Sequence, residues 1–289
     1  MKVFLDCVPC NLRQVLEAAR LATNDESIHS KILQDSLSVL KDFADYGTSP
    51  ELCRDIHLLV TKYTGVNEPY GQLKAESIEV AHKLYPTLEE HVKQSTDKLG
   101  TALEVSAIGN LIDAAVYGVM DTEKLGKQLK QELNRGFAIN NSYEFRKELT
   151  TAKTILFIGD NAGETVFDKL LILEAGELAQ VKPQTYFAVR SAPIINDATK
   201  EDAIASGLDQ VATIIDSGSK APGMVLSDAS PEFRRIFERA DVIIAKGQGN
   251  YETLSDTKEK PIYYLLKAKC SILADHIGVK TGDYVFVKI

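Results

Sequence analysis

The sequence predicts two fold classes in one chain: a helical amino-terminal domain, residues 1–150, packed on a Rossmann-like, mostly parallel three-layer α/β/α domain, residues 151–289. Two patterns carry this reading. After the first ten residues and up to about Asn140, apolar residues recur at helical spacing. Beyond Lys153 they gather into short unbroken runs, each ending on a polar residue and each followed by a helical stretch. With 44% hydrophobic residues over 289 positions, the chain can bury a sizeable core.

In the first half, Leu12, Val15, Leu16 and Ala19 fall at i, i+3, i+4 and i+7 and so share one helix face. Ser49-Pro50-Glu51 reads as a helix start, with a capping hydroxyl, a first-turn proline and an acid near the positive end of the dipole. Leu52, Ile56, Leu59 and Tyr63 form its apolar stripe, and Gly65 its stop. Asp121-Thr122 would cap a further helix carrying Leu125, Leu129 and Leu133. The one strand expected before residue 150 is Val3 to Leu5.

In the second half, apolar runs at 155–158, 186–189, 211–215 and 242–245 read as four buried strands, parallel because helices separate them. Ligands of such sheets bind beyond the carboxyl ends of the strands. Four polar segments are placed there, opening at Gly159, Arg190, Asp216 and Lys246.

Those segments carry the chemistry. Asp160 and Asn161 are adjacent oxygen donors at one strand end, and Asp197 follows the next strand with Asn196 beside it. Oxygen-only ligands of this kind suit a hard divalent cation. Lys246 and Arg190 add fixed positive charge, and a metal with a lysine is equipment for holding a phosphoryl group.

Other classes are excluded or disfavoured. The net charge of −8, without a basic arm, argues against a nucleic-acid partner. No apolar run approaches a membrane span, and Asp6 comes too early for a signal peptide, so a cytoplasmic protein is expected. No stretch fits the P-loop, and Gly247-Gln248-Gly249 has Glu252 where a dinucleotide fingerprint has its third glycine. Ala162 replaces the second aspartate of haloacid-dehalogenase-like phosphatases.

Cys7-Val8-Pro9-Cys10 leaves three readings open: structural thiols at a helix start, half of a metal site that Cys53, Cys270 or a histidine would complete, or a redox pair. The pair is expected to matter more for stability than for chemistry. Asn110 and Asp113 interrupt an apolar run on one helix face, either near a cap or bend at Gly109 or overhanging the crevice. His57, His82 and His91 have no partner at metal spacing and read as core or surface histidines.

Taken together, the residues resemble the damage-control phosphatase family, long called domain of unknown function 89, in its smaller archaeal and bacterial branch. The matching segments are Cys7-Val8-Pro9-Cys10, Pro69-Tyr70 with Lys74, Gly109-Asn110 with Asp113, Gly159-Asp160-Asn161-Ala162-Gly163-Glu164, Pro193-Ile194-Ile195-Asn196-Asp197 and Lys246-Gly247-Gln248-Gly249-Asn250-Tyr251-Glu252. Glu68 stands before Pro69 where the family pattern has Asp.

The resemblance implies a divalent metal on Asp160, Asn161 and Asp197, Mg²⁺ or Mn²⁺ first and Co²⁺ or Ni²⁺ as alternatives. Asp160 and Lys246 would be catalytic, Lys246 contacting the phosphate, and Asn110, Asp113, Arg190, Asn196 and Asn250 would border the substrate. The implied activity is hydrolysis of small phosphorylated metabolites, with Asp160 either attacking phosphorus or only binding metal. A non-catalytic phosphometabolite sensor would use the same crevice. No membrane or nucleic-acid partner is expected.

Overall fold

The computed structural model describes residues 1–109, 128–129, 131–133 and 135–289. Asn110, Asp113, Asp121, Thr122 and Leu125 therefore lie outside the described residues.

Three helices, α1 (Cys7–Ala22), α2 (Glu26–Leu40) and α3 (Ser49–Thr64), pack around Val15, Ala19, Ile32, Leu52 and Ile56. The stripes on α1 and α3 face inward as their spacing requires. Thr48, one residue earlier than expected, is the N-cap of α3, while Gly65 ends the helix in the left-handed region at φ 72°. Helices α4 (Gly71–Gln94) and α5 (Lys98–Ile108) leave that core and lie on the sheet instead. Their Ile78, Ala81, Leu103 and Ile108 share a core with Phe157, Phe167 and Leu171. Leu129 is buried in the same core.

The remaining order is β1 (Ile139–Asn140), α6 (Ser142–Leu149), β2 (Thr154–Ile158), α7 (Thr165–Leu178), β3 (Gln184–Val189), α8 (Lys200–Ala205) and β4 (Thr213–Asp216). It continues with α9 (Pro231–Arg239), β5 (Val242–Lys246), α10 (Gly247–Leu254), β6 (Tyr263–Lys267), α11 (Ser271–Ile277) and β7 (Tyr284–Lys288). The strands form one seven-stranded sheet in the order β1-β7-β6-β5-β2-β3-β4, parallel except for the β6–β7 pair. Alternation divides the side chains: Ile155, Phe157 and Ile244 face α5 and α7, whereas Leu156, Ile158 and Ile243 face Phe233, Phe237 and Leu273. The chain is thus an α/β protein with a helical amino-terminal region, as expected.

Three element assignments change. Residues 3–5 are not a strand; they run irregularly, with the amino terminus held by the Glu252 carbonyl. The run at 211–215 yields a strand only from Thr213, because Leu208–Gln210 forms a 3₁₀ turn. Strands β1, β6 and β7 have no counterpart in the sequence reading. Among the described residues no helix is long and apolar enough to cross a membrane.

His57 and His82 take the roles expected of them. His82 Nε2 meets the Ala205 carbonyl at the surface. His57 is buried in α3 with Nδ1 on the Cys53 carbonyl, and burial pushes its pKa down to about 4. The unfolded chain returns His57 to about 6.5, so between these values the unfolded state binds more protons and stability falls as pH falls. The loss approaches ~3 kcal/mol below pH 4, because each tenfold change in proton affinity is worth about 1.4 kcal/mol. We expect His57→Gln to flatten this part of the stability curve between pH 6.5 and 4, measured as the difference between urea midpoints of the variant and the native chain. Parallel curves for the two proteins would show that His57 takes no part.

Candidate active site

Strand order reverses at β2, which has β3 on one side and β5 on the other, and a crevice opens at such a switch point. The turns leaving β2 and β3 meet there. Asn161 and Asp197 form an antiparallel bridge. The Ala162 N–H donates to the Asn196 carbonyl at 2.9 Å and the Ala198 N–H to the Asp160 carbonyl at 2.8 Å. These backbone bonds gather Asp160, Asn161, Asn196 and Asp197 into one cluster.

Strand β5 ends against the same cluster. Gly247 opens α10 at φ 79°, and a Cβ there would lie 1.9 Å from Asp160 Oδ2. Only glycine meets both demands. The amino-terminal end of α10 is therefore held against the acid, where its dipole favours negative charge.

The cluster forms the floor of a cavity of about 550 Å³. One wall is the face of α1 that carries Cys7, Cys10, Asn11 and Gln14; Cys53 of α3 adjoins it. Gln248, Lys269 and Cys270 also line the cavity. Lys269 is exposed, and its ammonium makes no hydrogen bond or ion pair with a described residue. Its charge nevertheless reaches the floor, where it opposes the upward shifts of Asp160, Glu164 and Asp197.

Beneath the floor the charges are buried. Lys246 Nζ donates to Asp168 at 2.7 Å, to Glu164 at 3.2 Å and to the Ser106 carbonyl at 3.1 Å. Glu164 in turn accepts from Asn161 Nδ2 at 2.6 Å. The chain from Lys246 through Glu164 fixes the amide of Asn161. Gly109, at the end of α5, closes on Glu164, and a Cβ there would stand 2.8 Å from its Cγ. Arg190 Nε pairs with Asp197 at 2.8 Å, and Arg190 Nη2 donates to Asn250 Oδ1 at 3.1 Å.

Several expected residues lie elsewhere than at the cavity surface. The sequence places Lys246 at an exposed strand end; in the fold it is 1% exposed and does not line the cavity. The reason is parity. As the last residue of β5 it shares the face of Ile244, toward α5 and α7 rather than toward the crevice. Arg190 and Asn250 likewise do not line the cavity, and Arg190 Nη1 is buried with no hydrogen-bond partner among the described residues. Asn250 Nδ2 donates to the Gly159 and Lys246 carbonyls at 2.9 and 2.6 Å, while its Oδ1 also accepts the Met224 N–H, so it ties the ends of β2 and β5 together. Asp216 is spent on its own turn, accepting from Ser191 Oγ and the Gly218 N–H. Cys7, Cys10, Cys53 and Cys270 all line the cavity.

Glu164, Asp168 and Lys269 join the site without a role assigned from sequence. Asp168 was legible as a lone acid among Val166, Phe167, Leu170 and Leu171, a position that demands a partner. Lys269 lies beyond an unassigned strand and carried no signal.

Among the described residues, four buried carboxylates, Asp160, Glu164, Asp168 and Asp197, face two buried cations, Lys246 and Arg190. The nearby buried Lys74 is spent on Glu68 and Asp202. Two negative charges are left over if all ionise. Burial, then repulsion from Asp197, pushes Asp160 up to about 6; burial pushes Glu164 up to about 7. Burial also raises Asp197, against the pull of Arg190. Although burial alone would lower Lys246, Asp168 and Glu164 hold its pKa above the ordinary value. No three His, Cys, Asp or Glu side chains surround one point among the described residues; the oxygen donors on the floor are the carboxylates of Asp160 and Asp197 and the amides of Asn161 and Asn196. That set and its uncompensated charge fit a divalent cation that keeps several waters.

A fold and site of this kind define an α/β protein with an acidic pocket at the sheet's switch point. A sequence model of the Damage-control phosphatase ARMT1-like domain matches residues 3–285, and the chain belongs to that family. It is 38% identical to a damage-control phosphatase of Archaeoglobus fulgidus, over 99% of this chain and 98% of the relative. It is 34% identical to a damage-control phosphatase of Pyrococcus horikoshii, over 100% and 98%. The crystal structure of a domain-of-unknown-function-89 family protein from Pyrococcus horikoshii superposes with a TM-score of 0.92 at 33% identity, covering 100% of this chain and 99% of that one.

The buried network makes a prediction about Lys246. Removing one partner of a buried ion pair leaves the other charge uncompensated, at a cost of about 3–5 kcal/mol. We expect Lys246→Ala to lose stability on that scale in urea unfolding, because Glu164 and Asp168 both lose their cation. A variant as stable as the native chain would remove Lys246 from this structural role.

Proposed function

We propose that the protein is a metal-dependent phosphomonoesterase that hydrolyses small phosphorylated metabolites, sugar phosphates or damaged phospho-metabolites. The observation that carries this is the cavity floor, where buried Asp160 has no cationic partner among the described residues and lies beside the Arg190-paired Asp197 and the Asn161 amide, with Lys269 unpaired among the described residues on the wall. The damage-control phosphatase names of the relatives support the same reading.

In this reading Asp160, Asn161 and Asp197 would hold Mg²⁺ or Mn²⁺, with Co²⁺ or Ni²⁺ as alternatives. Such an ion, when bound, polarises a phosphoryl oxygen and lowers the pKa of a coordinated water. The chain's own residues do the rest. Glu164, braced by Lys246, keeps the Asn161 amide nitrogen occupied, the orientation a cation would require. Arg190 fixes the Asp197 carboxylate. Lys269, on the cavity lining, meets the phosphoryl oxygens, and the start of α10 adds a positive dipole near Asp160. The cavity is large enough for a small phosphorylated metabolite.

The test is a phosphatase screen over sugar phosphates and phosphorylated cofactor intermediates, run with each metal and with chelator. Turnover should require added divalent cation and vanish with EDTA; full activity in metal-stripped protein would overturn the mechanism. Asp160→Asn and Asp197→Asn should abolish turnover. Lys269→Ala should lower it by about 10²-fold, typical for loss of one charge-stabilising group, with the melting temperature unchanged because the side chain is exposed. Undiminished turnover in Lys269→Ala would place the phosphate contact elsewhere.

A further inference from the structure

All four cysteines of the chain line the cavity that holds Asp160, although they come from α1, α3 and the segment after β6. None is in a disulfide. Two of them, Cys7 and Cys10, occupy the first and fourth positions of α1. Residues three apart on a helix bring their Cβ atoms within about 5–6 Å, and a disulfide requires about 3.5–4.5 Å. The first turn can close that gap, because the Cys7 N–H bonds back to the Phe4 carbonyl rather than within the helix ladder.

The two sulfurs have different surroundings. Gln14 Nε2 and Arg13 Nη2 face Cys10 Sγ at 3.4 and 3.9 Å, so this sulfur accepts from two N–H groups. Burial, reinforced by the Glu252 carboxylate and Cys270, raises the pKa of Cys7 and so favours its thiol form. Gln14 also links the pair to the rest of the wall, since its Oε1 accepts from Cys53 Sγ at 3.5 Å. Beside them, Asn11 is 3% exposed, and its Oδ1 has no hydrogen-bond partner although its Nδ2 is bonded to the Cys7 carbonyl and Ser49. This face of α1 is thus polar, accessible from the cavity and only partly satisfied.

We propose that Cys7 and Cys10 form a reversible thiol–disulfide site in the cavity wall, oxidised by small-molecule disulfides, and that its oxidation lowers turnover at the neighbouring acids. The Cys10 sulfur attacks one sulfur of the small disulfide, breaking its S–S bond and releasing one thiol. Cys7, losing its proton, then attacks the Cys10 sulfur of the mixed disulfide and expels the second thiol. The protein loses two electrons and two protons, and the small disulfide gains both. Closing the ring draws the Cys10 sulfur off Gln14, which joins it to Cys53 on the lining of the same cavity. The effect on turnover rests on the phosphatase reading; the disulfide itself does not.

The experiment is to incubate the metal-loaded protein with oxidised glutathione, then count free thiols and map peptides before and after dithiothreitol. Two thiols should disappear, and the tryptic peptide spanning residues 3–13, which holds both cysteines, should lose two hydrogens. Phosphatase turnover should fall about tenfold and return with dithiothreitol. Cys7→Ser and Cys10→Ser should turn over normally when reduced; Cys10→Ser should resist the oxidant, whereas Cys7→Ser should stop at the mixed disulfide on Cys10. A peptide that keeps both hydrogens, or a linkage through Cys53 or Cys270, overturns the site. A disulfide that forms while turnover stays constant overturns the control. If no substrate is turned over in either state, the phosphatase reading falls and peptide mapping alone decides the disulfide.

Discussion

The site depends on the burial of more negative than positive charge beneath one strand-end crevice. Lys246 is the fixed point. Its ammonium binds Glu164 and Asp168 from α7 and its approach and the Ser106 carbonyl from α5, so one side chain fastens the helical layer to the sheet. Glu164 passes that constraint to Asn161, and the Asn161–Asp197 bridge passes it to the next turn. The floor is rigid because each acid is held by a partner that is itself buried. The remaining negative charge, expressed in the raised pKa values of Asp160 and Glu164, is the force that would draw a cation in.

The sheet separates structural from accessible chemistry. Parallel strands buried on both faces send alternate side chains into opposite layers. Lys246 falls on the α5/α7 face and is sealed there, whereas Lys269, two residues past β6, reaches the cavity. Two lysines near one acidic floor therefore do different work. One neutralises charge in the core; the other stays in water, where binding an anion costs it little desolvation.

The helical region contributes more than cover. Its face on α1 lies across the mouth of the sheet's crevice, so residues near position 10 share a cavity with residues near 160, 197 and 270. The long helices α4 and α5 meanwhile belong to the sheet's core rather than to the α1–α3 core. Lys74, buried on α4 and paired with Asp202 of α8, adds a second buried tie between the helical and sheet elements, close to the loop carrying Asp197.

The sequence alone determined the fold class, the helix faces of α1 and α3, four of the strands, and the gathering of Asp160, Asn161 and Asp197 at strand ends, because these follow from local spacing and from where polar residues interrupt apolar runs. Its end strands were not legible: β1 spans two residues, and β7 runs antiparallel to β6 although α11 lies between them, against the rule that strands separated by helices are parallel. Tertiary structure decided what each charged side chain does. Whether a lysine after a strand is sealed or solvated depends on pleat parity and on which helix covers that face, and neither is encoded in the residue or its neighbours. The same holds for the cysteines. Their spacing in the chain leaves Cys53 and Cys270 unrelated to Cys7 and Cys10, and only the packing of α1 and α3 over the end of β6 brings all four sulfurs to one cavity.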